Sequence, residues 1–182
     1  MARFFLHAVG RDRPGIVSAL AGALEGLGCN LEDSRMTLLR GQFAVMLVLD
    51  APGITESSRI EAALAPVAIE LDLVVAVRPL GDEEPGGGAG GGDEEPVVLA
   101  VSVHGADHPG IVARITGEVA RAGGNIVDLA TRVVDGGSGY VLLISVELEP
   151  GPTGDELAKR LERAAKELGV HCSVAAGDAD VL

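Results

Sequence analysis

Two short stretches of this chain carry residue types able to hold a small charged molecule. They are Asp12-Arg13-Pro14-Gly15-Ile16-Val17 and Asp107-His108-Pro109-Gly110-Ile111-Val112. Each follows a glycine two positions earlier, Gly10 or Gly105, and each leads into apolar residues at helical spacing. The backbone N–H groups of Ile16 and Val17, and of Ile111 and Val112, therefore fall at a helix N-terminus. Unpaired donors and a partial positive charge there favour a carboxylate. Gly15 and Gly110 let a ligand come close to the backbone. Asp12 and Asp107 stand beside the same helix end and can take an ammonium group. Asn30 and Asn125 follow each turn at equal spacing, and an amide offers a small zwitterion both a donor and an acceptor. Plain structural roles compete with these. An Asp before a helix also caps it, and an Asn after glycine also serves as a turn residue with positive φ. Asp33 and Asp128, three positions beyond each Asn, read better as solubilisers of an edge strand.

The elements that position these residues occur twice. Gly10, Asp12, Pro14, Gly15, Ile16 and Val17 recur at an offset of 95, as Gly105, Asp107, Pro109, Gly110, Ile111 and Val112. Gly28, Asn30, Leu31 and Asp33 recur as Gly123, Asn125, Ile126 and Asp128, and FAVMLVLD later faces YVLLISVE. Such an internal repeat signals a duplication. Each half reads as strand, helix, strand, strand, helix, strand. RFFLHAV and VVLAVSV are first strands; Ile16, Leu20, Leu24 and Leu27, or Ile111, Ile115 and Val119, mark the first helices. Pro14 and Pro109 fit a first helical turn, and Gly26, Gly28, Gly123 and Gly124 fit its end. Hairpins are expected at Arg40-Gly41 and Asp135-Gly136-Gly137. The second helices should start near Thr55 and at a Thr153/Glu156 capping box, the latter ending at Gly169. LVVAVRPL and VHCSVAA are last strands. Two helices against one face of a four-stranded antiparallel sheet give a ferredoxin-like βαββαβ α+β sandwich, twice.

GDEEPGGGAGGGDEEP separates the halves, with no hydrophobic period, glycine for flexibility and six carboxylates for solvation. The expected organisation is a first domain over 1–80, a flexible acidic Gly-rich linker over 81–96 and a second domain over 97–182. A GxGxxG match at Gly86, Gly88 and Gly91 lacks the strand and helix that a phosphate loop needs.

The pattern DRPGIVSALAGALEGLGCNLED, present in two versions within this frame, resembles the ACT domain, a family of small amino-acid-binding regulatory modules. The resemblance covers nearly the whole chain apart from the linker. Two copies without a catalytic domain are similar to the glycine cleavage system transcriptional repressor group of stand-alone regulators. The resemblance implies ligands held between paired modules, at the loop before the first helix and the start of the second strand. That carries over onto Gly10, Asp12, Arg13 and Asn30, and onto Gly105, Asp107, His108 and Asn125. Arg13 faces His108, so the two sites need not be equivalent.

Composition excludes several other functions. The 182 residues carry a net charge of −13, and about −7 remains outside the linker (13 − 6), which disfavours nucleic acid and anionic membranes as partners. RNA-recognition modules share the strand order, but RGQFAVML puts Gln42, Ala44 and Leu47 where stacking aromatics belong. No nucleophile elbow is present, and DGGSGY lacks its spacing. His104, Asp107 and His108 suggest a metal cluster, but Val9 and Arg13 replace both histidines in the other copy; His7 and His171 lie alone on strands. Cys29 and Cys172 lie in different halves, reduced and half-buried. No run of apolar residues reaches a membrane span, and the N-terminus reads as a strand rather than a signal.

The expectation is a cytoplasmic regulatory protein with no catalytic residues, cofactor or metal. It binds a small amino acid and contacts a transcription factor or metabolic enzyme, in control of amino-acid (glycine) metabolism. Third strands apolar on both faces suggest packing between copies or a homodimer. The alternatives are an adaptor without a ligand and a regulatory subunit of an amino-acid metabolic enzyme.

Overall fold

The computed structural model describes residues 2–81, 97–134, 139–149 and 153–177. The expected linker, apart from Gly81, and the expected turn at Asp135-Gly136-Gly137 lie outside them. The chain divides into two compact units, Met1–Gly87 and Gly88–Leu182. The first runs β1 (Arg3–Arg11), α1 (Ile16–Glu25), β2 (Asn30–Leu39), β3 (Gln42–Asp50), α2 (Ser57–Leu71) and β4 (Leu73–Leu80). The second repeats it as β5 (Val97–Ala106), α3 (Ile111–Arg121), β6 (Asn125–Val134), β7 (Gly139–Leu148), α4 (Thr153–Glu167) and β8 (His171–Ala176). Each unit is a four-stranded antiparallel sheet, in the order β2-β3-β1-β4 or β6-β7-β5-β8. This is the ferredoxin-like βαββαβ arrangement, built twice.

Alternation along the central strands sets the layers. Phe4, Leu6 and Ala8 of β1 and Phe43, Val45, Leu47 and Leu49 of β3 are buried against Ile16, Leu20 and Leu24 of α1 and Ile60 and Leu64 of α2. Val101, Val103, Leu142, Ile144 and Val146 do the same against Ile111, Ile115, Val119, Leu157 and Leu161. The two cores share no residue. In the second unit, Glu118 of α3 is buried but paired with Arg114 at 3.0 Å and Arg121 at 2.6 Å, and Arg114 reaches Glu167 of α4 at 2.7 Å. Ala19, Ala23 and Gly26 replace that network in the first unit.

Several local expectations need correction. Pro14 and Pro109 precede the helices rather than opening them, because Gly15 and Gly110 are the N-caps, in the left-handed region at φ 93° and 100°. A proline followed by a residue of positive φ closes a turn, and only after it do the helices start. Leu27 lies beyond α1, though it still packs on the core. The second helix of the first unit starts at Ser57, two residues after Thr55, and accommodates Pro66 internally. Arg40 and Gly41 both take positive φ, 49° and 78°, the geometry of a two-residue hairpin turn.

The apolar surplus lies more on the edges than on the third strands. All ten residues of β2 are exposed. Met36 and Leu38 pair with the buried Val45 and Phe43, so they point to the helix side, yet they remain 51% and 52% exposed. Leu129 and Val133 of β6, opposite the buried Ile144 and Tyr140, are 42% and 50% exposed. Most residues of β2 and β6 are thus left open to solvent.

Candidate functional site

Each repeated turn begins where a first strand ends. In the first unit, the Asp12 N–H donates to the Gly41 carbonyl at 2.9 Å, tying the turn to the β2–β3 hairpin. Gly15 then places its carbonyl to accept the Ala19 N–H at 2.9 Å, the first bond of α1; Gly110 does the same for Arg114 at 2.9 Å. Neither helix has a side-chain cap or an acidic residue in its first turn. The Asp-as-cap alternative is therefore not realised: Asp12 and Asp107 lie too early in the turn, and a residue without a polar side chain occupies the cap. Both helix N-termini keep their orphan donors and their partial positive charge. Ile16 and Ile111 bury their side chains, while Val17 and Val112 stay exposed beside the free N–H groups.

The glycines have two distinct reasons. A Cβ on Gly15 or Gly110 would meet nothing within 4 Å, so backbone conformation requires glycine there and the space in front is open. A Cβ on Gly10 would stand 2.6 Å from Leu73 Cδ2 and 2.7 Å from the Asp72 carbonyl; one on Gly105 would stand 2.7 Å from Val170 Cγ1. Those two serve the close approach of neighbouring segments of their own unit.

Arg13 and His108 occupy equivalent positions differently. Arg13 is exposed and makes no hydrogen bond to another described residue. The His108 ring lies between two backbone carbonyls, with Nδ1 3.1 Å from the Pro109 oxygen and Nε2 2.8 Å from the Leu168 oxygen. Only the imidazolium can donate to both. These bonds, first to Pro109 and then to Leu168, raise the pKa of His108, and the Asp107 charge adds to them. Asp107 also raises the pKa of Tyr140, after the larger effect of burial, so the phenol stands close to the second turn. Phe43 replaces it in the first unit, across from Gly10.

Asn30 and Asn125 open β2 and β6 with ordinary negative φ; Gly28 and Gly123 take the positive φ instead, at 73° and 76°. The turn-residue alternative for the asparagines is thus not realised. Each Asn is exposed and lies at the end of the sheet opposite its own turn. Asn30 pairs with Asp50, Asp50 with Arg3, and Gly10 lies seven steps further along β1. That is roughly 23 Å at strand spacing. Within one unit the turn and the asparagine do not meet.

The residues considered for metal or nucleophilic chemistry fall elsewhere. Among the described residues no three His, Cys, Asp or Glu side chains could hold a metal ion together. His171 is not alone: its ring stacks on His104, with centroids 5.3 Å apart. Burial, and then Glu162, push the Cys172 thiol up to about 11, and burial raises that of Cys29 as well, so neither is an activated thiolate. Asp33 accepts a hydrogen bond from the Ser34 N–H at 2.7 Å beside a bulge in the edge strand.

Sequence reasoning passed over Asp50 and Glu147, which stand opposite Asn30 and Asn125. The signal was available: FAVMLVLD and YVLLISVE both end on an acid.

Comparison with known proteins gives one family. The ACT domain model matches residues 3–78 and again residues 98–175. The glycine cleavage system transcriptional repressor of Escherichia coli (strain K12) is 27% identical over 163 residues, covering 90% of this chain and 82% of that protein. A crystal structure of a protein of unknown function from Galdieria sulphuraria superposes with a TM-score of 0.78 at 25% identity, covering 97% of this chain and 99% of the other. A second crystal structure, of a candidate glycine cleavage system transcriptional repressor, gives a TM-score of 0.68 at 20% identity, with 96% of each chain covered.

Proposed function

The chain belongs to the ACT domain family, in two copies, and from that premise we propose that it is a regulatory protein that binds a small amino acid at its repeated turns. It is not an enzyme; the relative it matches along most of its length is named a transcriptional repressor. The observation that carries the ligand reading is the pair of uncapped helix N-termini behind Gly15 and Gly110, each with open space in front and no acid in its first turn. An α-carboxylate supplies the acceptor that these N–H groups lack. Arg13, and Asp12 and Asp107, are exposed at the rim of the same turns. Asn30 and Asn125 offer an amide donor and acceptor at the opposite end of each sheet.

The signal passes to another protein by contact, and the regulated process is amino-acid metabolism, with glycine metabolism suggested by the named relative. The edge strands β2 and β6 favour such contact. Their outer backbone groups are unpaired within the sheet, and Met36, Leu38, Leu129 and Val133 are half exposed. The same edges also suit an adaptor that needs no ligand. Melting temperatures measured with each of the twenty free amino acids at millimolar concentration separate the two. At least one should stabilise the protein, by about 2.7 kcal/mol at a hundredfold excess over its dissociation constant. No shift with any of them rejects the sensor and leaves the adaptor.

A further inference from the structure

His104 and His171 form a pair that the first unit lacks. They stand directly opposite each other on β5 and β8, as Val9 and Val74 do on β1 and β4. The offset of 95 carries His104 onto Val9, so both members of one cross-strand pair differ between the copies, while the strand order around them is the same. Of the four histidines in the chain, two meet here. The alternate positions, Val103 and Cys172, lie with the core, so both imidazoles stand on the face turned away from the helices, and both are exposed. The rings lie within 9° of parallel, with centroids 5.3 Å apart. His108 has two carbonyl partners, whereas neither of these rings has a hydrogen-bond partner among the described residues. Their nitrogens are free to act as ligands.

We propose that His104 and His171 bind one divalent transition-metal ion between them. Neutral imidazole suits Cu²⁺, Ni²⁺ and Zn²⁺, and Cu²⁺ heads the order of affinity. The spacing fits such a chelate. A metal–nitrogen bond of about 2.0–2.1 Å sets a ring centroid about 3.2 Å from the metal, so two rings at a tetrahedral angle have centroids about 5.2 Å apart. The strands therefore need not move. Rotation about the side-chain torsions turns one nitrogen of each ring toward a shared ion. The net charge of −13 favours a cation at the surface. Among the described residues no third His, Cys, Asp or Glu joins the pair, so water fills the remaining positions. The ion is therefore exchangeable and does not hold the fold together, unlike the closed four-ligand sites of structural zinc.

The full chain, without a histidine tag, is titrated by calorimetry with Cu²⁺ and with Zn²⁺ at about pH 7.5, where unperturbed imidazole is neutral. His104→Val and His171→Val install the residue that the first unit carries at each position, and His7→Val is the control. The wild type should bind one Cu²⁺ per chain at micromolar concentration, and Zn²⁺ more weakly. Its electron paramagnetic resonance spectrum with Cu²⁺ should show two nitrogen ligands, a readout that needs no variant. His104→Val and His171→Val should each weaken both ions by tenfold or more, and His7→Val should bind as the wild type does. Metal-free melting temperatures of the three variants should match the wild type, since the first unit carries valine at both positions of its own pair. A wild type that binds neither ion at micromolar concentration overturns the site. So does a spectrum with a single nitrogen ligand, or full affinity in either His104→Val or His171→Val; a lowered metal-free melting temperature with full affinity marks rings that stack only for stability.

Discussion

His108 shows how one substitution between two copies changes the physics of a turn. Its ring nitrogens face the carbonyls of Pro109 and Leu168, and the latter lies just past the C-terminal end of α4, where a cation is favoured. Both contacts are hydrogen bonds only in the protonated ring, so folding raises the pKa. A raised pKa means that the folded state binds the proton more tightly than the unfolded chain. The resulting stabilisation is complete below the unfolded histidine value and is lost as pH rises through the folded one. The difference in melting temperature between wild type and His108→Ala should therefore shrink steadily from about pH 5 to about pH 8, the range in which histidine titrates. Taking the difference removes whatever the two proteins have in common. A difference that stays constant across that range would show that the ring is held by packing alone.

At the scale of elements, glycine positions separate backbone conformation from crowding. Gly15→Ala places a Cβ in open space but at φ 93°, so the cost is that of the left-handed region, about 1–2 kcal/mol. Gly10→Ala drives a Cβ into the Asp72 carbonyl as well as Leu73, and backbone cannot swing aside as a side chain does. Its cost should be the larger of the two in urea denaturation, and equal costs would contradict the division. Much of this level was legible in the sequence. Hydrophobic alternation and the repeat anticipated the strand-helix-strand-strand-helix-strand order of both units among the described residues, and LVVAVRPL coincides with β4. The helix starts were less legible, because Pro-Gly reads equally as a first helical turn or as the turn before it; the φ of Gly15 decides, and a sequence does not display φ. Pro66 inside α2 gave no warning either. The site was legible only in part. Asp12, Gly15 and Asn30 stand out by repetition, but their placement at opposite ends of one sheet follows from strand register. Asp50 becomes noticeable only when Asn30 is found across from it.

For the whole molecule, two cores without a common residue imply that the units are separately stable. Residues 1–80 and 97–182, expressed apart, should each unfold cooperatively in denaturant; a unit that is molten alone would contradict this. A net charge of −13 and the absence of stacking aromatics at Gln42, Ala44 and Leu47 predict no direct binding to duplex or single-stranded nucleic acid. Any effect on transcription then runs through a protein partner, and a salt-sensitive gel shift with purified protein would refute that. The central claim is that the repeated turns and the two asparagines exist to hold an amino acid. Calorimetric titration of wild type, Asn30→Ala and Asn125→Ala, using the amino acid that most raises the melting temperature, tests it most directly. The account predicts saturable binding to the wild type and a loss of about 1–3 kcal/mol in each variant, the cost of leaving a polar ligand group unpaired, with folding intact. Wild-type affinity in both variants would contradict it, and would leave Asn30 and Asn125 as the first residues of two edge strands.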